Sequence, residues 1–188
     1  MGNLYVGLLH HPMQNRRGKI VTTSMTSMDV HDIARTAKTF GALQYYVITP
    51  LKTQREIARR LRGYWTEDER KRENSNRGEA LELVSVLDKL DGGILDIADR
   101  EEDDPLLIGT SARDLSDHRR LSYSEARGKL SNGSRPLFLL FGTGWGMADE
   151  LMGRLDYLLP PIYGPGEFNH LSVRAAVAVT LDRLCGRG

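Results

Sequence analysis

Residues 136–184 constrain the fold of this chain more than any other stretch. They hold two short apolar runs, each entering a loop rich in glycine or proline, and then one helical segment. The first run, 136–141, is bounded by turn residues and predicts a buried strand. Gly142, Gly144 and Gly146 follow within five residues. Glycines at this density let the backbone bend sharply and let a ligand approach bare N–H and C=O groups. The second run, 156–159, stops at Pro160 and Pro161, and residues 162–168 read as an irregular loop. Asn169 is then the predicted N-cap of a helix ending at Cys185 and Gly186. Loops at the C-terminal ends of buried strands are where open α/β sheets take their ligands.

Upstream, strands are predicted over 4–9, 45–49, 94–98 and 106–108, with a short extended piece over 20–23. A helix capped by Ser27 or Asp29 carries Val30, Ile33, Ala34, Ala37 and Phe40 on one face and ends at Gly41. A second, 53–62, sets Ile57, Ala58 and Leu61 against a face of Arg55, Arg59, Arg60 and Arg62. Residues 63–78 read as a charged loop, 79–90 as a helix through Ala80, Leu83, Val84 and Leu87, and Ser122 as the cap of a short helix to Leu130. Strands alternating with helices predict an α/β fold with a mainly parallel sheet flanked by helices, in one domain over 1–188.

Composition excludes several classes. One cysteine, Cys185, rules out an intrachain disulfide framework and a cysteine-rich metal site. No apolar run reaches the roughly 18 residues that suggest a membrane span, and the first residues lack a basic leader, so a cytoplasmic protein is expected. Formal charge is uneven: residues 1–80 carry 14 Lys+Arg and 8 Asp+Glu, and residues 81–188 carry 12 and 17. Such polarity fits either a basic binding face or scattered solvated charge.

The glycine loop matches no phosphate motif. The chain has no Gly-x4-Gly-Lys-Ser/Thr run, the GxGxxG fingerprint fails after Gly146, and there is no GxSxG elbow. His10 and His11 are adjacent on a strand end and point to opposite faces, so no metal is expected.

Residues 140–147 (LFGTGWGM), 159–164 (LPPIYG) and 169–176 (NHLSVRAA) resemble, in order, spacing and chemistry, the SPOUT class of S-adenosylmethionine-dependent RNA methyltransferases. Segments 29–35, 49–50 and 110–113 look like the bacterial branch found alone or fused to tRNA guanine-N1 methyltransferase domains. The resemblance implies a deep C-terminal trefoil knot, a homodimer packed through the last helix at Ala175, Ala176, Ala178 and Val179, and RNA (tRNA or rRNA) as substrate. It implies that S-adenosylmethionine lies among Thr110, Ser111, Gly142, Thr143, Gly144, Trp145, Gly146, Ile162, Gly164, Asn169, Leu171 and Ser172. Trp145 would wall the ligand or simply pack. Arg16 or Arg17 would bind a substrate phosphate, and His170 would move a proton or hydrogen-bond the helix start. Asp32 and Arg35, three residues apart, read as a surface ion pair or a catalytic pair. The arginines at 55, 59, 60 and 62, with Tyr64 and Trp65 beyond them, suit RNA backbone and base stacking or a solvated face. The alternative function is a non-catalytic module that binds S-adenosylmethionine or RNA.

Overall fold

The strand at Leu4–Leu9 (β1) is buried along its whole length, and the rest of the sheet grows outward from it. A computed structural model describes residues 2–67, 75–115, 117–133 and 135–187. β1 pairs in parallel with Gln44–Ile48 (β4) on one side and Leu137–Gly142 (β7) on the other. Val84–Leu87 (β5) lies beyond β4; Leu106–Gly109 (β6) and then Tyr157–Leu158 (β8) lie beyond β7. The order is β5-β4-β1-β7-β6-β8, all parallel. Met13–Gln14 (β2) and Ile20–Val21 (β3) form a separate antiparallel hairpin.

Seven helices complete the described residues: Ser27–Thr39 (α1), Lys52–Thr66 (α2), Ser75–Glu82 (α3), Leu90–Glu101 (α4), Tyr123–Asn132 (α5), Asp149–Met152 (α6) and Val173–Cys185 (α7). Side chains alternate across a strand, so each strand feeds two cores. Leu4, Val6 and Leu8, with Tyr45, Val47, Leu139 and Phe141, meet Val30, Ile33 and Ala34 of α1 and Val177, Leu181 and Leu184 of α7. Tyr5 and Leu9, with Tyr46, Ile48, Phe138 and Leu140, meet Leu90 and Ile97 of α4 and Leu151 and Met152 of α6. Burial on both faces explains why the strands read as continuous apolar runs. Each large side chain so buried contributes about 1.5–3 kcal/mol. Among the described residues no helix is long and apolar enough to cross a membrane.

Five local expectations change. Residues 84–87 form β5, not part of a helix, because the apolar positions extend the sheet beside β4. Residues 94–98 belong to helix α4, not to a strand. Gly93 lets that helix approach the sheet: a Cβ there would stand 3.2 Å from the Phe138 ring. The charged segment 63–78 is helical at both ends, in α2 and α3, and residues 68–74 lie outside the described residues. The cap of α1 is Thr26, with Asp29 completing a capping box from the third helical position. The cap of α7 is Ser172, whose Oγ accepts from the Ala175 N–H at 3.3 Å, because the Asn169 amide instead donates to the Ala112 carbonyl at 2.6 Å.

Candidate functional site

Three loops meet where β6, β7 and β8 end. After β7, residues 143–147 run antiparallel to residues 12–14 of the hairpin. The Gln14 N–H donates to the Gly146 carbonyl at 2.8 Å, the Trp145 N–H to the Gln14 carbonyl at 3.3 Å, and Met13 bridges Met147. Gly144 and Gly146 sit at φ +61° and +106°, in the left-handed region that side chains disfavour. A Cβ on Gly144 would stand 3.0 Å from the Thr23 methyl, and one on Gly142 would stand 2.8 Å from the Met147 side chain. The second loop, 110–113, is tied to β7 through the Thr110 hydroxyl on the Leu140 carbonyl at 3.1 Å. The third loop precedes α7.

Between them lies a crevice of about 690 Å³. Phe141, Ile162, Leu171, Val173 and Ala176 make it apolar; Thr110, Ser111, Asn169 and His170 add polar groups. That size and mixed lining match small-molecule and cofactor sites. The N–H groups of Thr143, Trp145 and Gly146 turn back onto Met13 sulfur, the Gln14 carbonyl and the Thr143 carbonyl. The loop therefore does not present those three donors, an arrangement that suits a cationic ligand better than a phosphate.

Behind the loop runs a polar chain that ends on a buried histidine. Thr143 Oγ1 donates to the Leu9 carbonyl at 2.9 Å and meets Thr23 Oγ1 at 2.5 Å. Thr23 Oγ1 in turn meets His10 Nδ1 at 3.0 Å. His10 is fully buried; desolvation lowers its pKa to about 4, against a smaller upward pull from Asp29. At the α1 end of the crevice the buried Asp29 is held by Arg174 of α7 at 3.1 Å.

Ten of the twelve expected cofactor residues line this crevice; Gly164 and Ser172 do not. His170 also lines it, edge-on to Phe168 at 5.6 Å. Arg16 stays at the rim, its guanidinium 6.0 Å from the centre of the Trp145 ring. Trp145 is 58% exposed, so it is a wall and not core packing. Arg17 is exposed, with its backbone N–H on Asn15 Oδ1, and lies outside the lining. Asp32 does not stand as a pair with Arg35; its carboxylate faces Arg174 at 3.5 Å. His10 and His11 do part, His10 inward to Thr23 and His11 outward to Thr22.

The arginine face of α2 is elsewhere. α2 packs beside β5, at the sheet edge opposite β8. Arg55 and Arg59 donate to the Thr49 and Val86 carbonyls; Arg60 and Arg62 are exposed. Sequence reasoning missed Thr23, Asp29, Arg113 and Tyr123 as lining residues. Arg113 was within reach, since it closes the 110–113 segment; Thr23 enters because the first hairpin folds onto the glycine loop, and Asp29 because α1 packs against α7.

Fold and site together define an α/β protein that takes a mid-sized ligand at the carboxyl edge of a parallel sheet. A family model described as SAM-dependent RNA methyltransferase matches residues 3–186, and the chain belongs to that family. An uncharacterized protein of Aquifex aeolicus is 42% identical over 98% of this chain and 89% of its own length. A tRNA (guanine-N(1)-)-methyltransferase of Oleidesulfovibrio alaskensis is 39% identical over 98% of this chain, which spans 42% of that enzyme. The SpoU methyltransferase AviRb of Streptomyces viridochromogenes, solved with AdoMet, superposes with a TM-score of 0.58 at 16% identity, covering 97% of this chain and 57% of its own, and so shares the fold. The cofactor is S-adenosylmethionine. The crevice fits it: apolar walls for a flat base, a loop that a Cβ on Gly144 would crowd, and three loop N–H groups already bonded within the protein, which spares a cation their partial positive charge.

Proposed function

We propose that the crevice holds S-adenosylmethionine for methylation of tRNA, with Thr110, Ser111, Thr143, Trp145, Ile162, Asn169 and Leu171 as its contacts. The observation that carries this reading is the convergence of the glycine loop, the 110–113 loop and the start of α7 on one crevice of about 690 Å³. Bound there, the cofactor supplies a methyl group on a positively charged sulfonium. The chain's own residues do the rest. Trp145 and Leu171, both exposed at the mouth, limit water access. Arg16 beside Trp145 engages a substrate phosphate and so places the acceptor nucleotide. His170, in the crevice lining, takes the proton that the acceptor atom loses. Asp29, fixed by Arg174 and its capping box, orients polar groups at the α1 end. The exposed Arg60 and Arg62 are a distal backbone contact.

The reading extends to a knotted, dimeric, cytoplasmic protein in a single domain. β8 bonds to β6 on one side and to residues 119–121 on the other, so the chain leaves β6 and rejoins the sheet edge beyond β8, which supports the knotted reading. Ala175, Ala178 and Val179 are only half-buried, and Met28, Phe168 and Leu171 are exposed, which supports a second copy packing against α7 and α1.

The test is transfer of labelled methyl from S-adenosylmethionine to RNA from cells lacking the protein. Labelled tRNA nucleosides are expected. Label in rRNA alone would move the substrate, and cofactor binding without label in any RNA would make the chain a binding module.

A further inference from the structure

A second depression, of about 500 Å³, opens beside β8 on the far side of the connection between β6 and α5. Arg119, Arg120, Lys129 and Tyr157 line it. We propose that it is a docking site for the phosphodiester backbone of the RNA whose target nucleotide enters the crevice; the inference rests on the RNA-methyltransferase reading.

The backbone that carries the arginines is held in place. The Leu158 N–H donates to the Arg119 carbonyl at 2.9 Å, and the Leu121 N–H to the Leu158 carbonyl at 3.1 Å, so residues 119–121 extend the sheet edge. The Arg119 guanidinium lies 4.6 Å, and the Lys129 ammonium 5.3 Å, from the centre of the Tyr157 ring. The ring attracts each cation, but the two repel one another. An anion bound by both relieves that repulsion. Arg120 lies at the same rim with its guanidinium paired to Asp114, so Arg119 and Lys129 carry the anion affinity.

The lining also holds one acid. Glu125 is directed at the start of α5, where its Oε2 accepts from the Ser122 N–H at 2.8 Å and the Ser122 hydroxyl at 2.7 Å. That capping box, with Lys129 one turn on, holds its carboxyl below its usual pKa and so charged; Arg119, Arg120 and Lys129 against this one carboxylate leave the lining net cationic. Gly128 keeps the α5 wall low, since a Cβ there would meet nothing within 4 Å.

Position decides the occupant. The 110–122 connection bears Arg113 on the crevice and Arg119 and Arg120 on the depression, and α5 places Tyr123 on the one and Glu125 on the other. A strand whose nucleotide enters the crevice therefore carries its neighbouring phosphates toward the second depression. Cations beside an aromatic ring are the usual means of holding such a strand without reading its sequence.

The test compares the full chain with the double variant Arg119→Gln/Lys129→Gln, which keeps most of the packing stems. Affinity for an unmodified tRNA transcript is measured across a salt series, with S-adenosylhomocysteine binding measured in parallel. Affinity is expected to fall about tenfold at low salt, and the slope of log K against log salt to shrink by about one to two, with S-adenosylhomocysteine binding unchanged. Wild-type affinity and slope in the variant would overturn the site. So would equal loss of both ligands in this variant and in the milder Arg119→Lys/Lys129→Arg, since the patch would then be structural. A wild-type chain that does not bind tRNA would instead defeat the choice of tRNA as the substrate, a failure distinct from that of the site.

Discussion

Gly144 joins two constraints at one atom. Its φ of +61° disfavours any side chain, and a Cβ would press on Thr23, itself a wall of the crevice. Gly144→Val is expected to lower S-adenosylhomocysteine affinity at least about tenfold, since strain and overpacking together cost about 2 kcal/mol or more. Calorimetric titration checks this, with circular dichroism to confirm the fold. His10 makes a different prediction. Its folded pKa, near 4, lies below the ordinary value of 6.5, so the unfolded chain binds more protons between those limits. Its contribution is complete above pH 6.5 and is lost as pH falls toward 4, amounting to about 3 kcal/mol. Thermal midpoints measured from pH 7 to 4 are expected to fall, and to fall less in His10→Asn, whose amide can still meet Thr23.

At the scale of elements, the apolar runs at 4–9, 106–108 and 136–141 were legible as strands because burial on both faces removes every polar position. Residues 83–98 were not. Leu83, Val84 and Leu87 satisfy helical spacing, yet the same run offers Val84 and Val86 two apart, and only pairing with β4 decides between them. Gly92 and Gly93 look like a turn, but Gly93 is inside α4 because Phe138 needs the room. Asn169 is a fair cap by residue type; the Ala112 carbonyl, 57 positions away in sequence, takes its amide. Asn169→Ala is expected to free the 110–113 loop and weaken S-adenosylhomocysteine binding several-fold with little loss of stability. Ser172→Ala is expected to cost about 1 kcal/mol in denaturant unfolding while the crevice contacts persist.

At the scale of the whole molecule, alternation of strands and helices implied a parallel sheet, but not its order. That β7 lies between β1 and β6, and that residues 12–14 clamp the glycine loop, are long-range facts. With the packing of α1 on α7, they bring Thr23, Ser24 and Asp29 to a crevice otherwise built from residues 110–180. The same order separates the α2 arginines from the crevice, across β4 and β1, and leaves the cations beside β8 as its neighbours.

The central claim is that the crevice at the ends of β6, β7 and β8 is the S-adenosylmethionine site. Calorimetric titration of the purified chain with S-adenosylhomocysteine, with ATP and NAD as controls, tests it most directly. Saturable binding of S-adenosylhomocysteine alone, near one per chain, is the predicted result. A folded chain that takes up none of it, or that binds ATP or NAD equally well, would contradict the account.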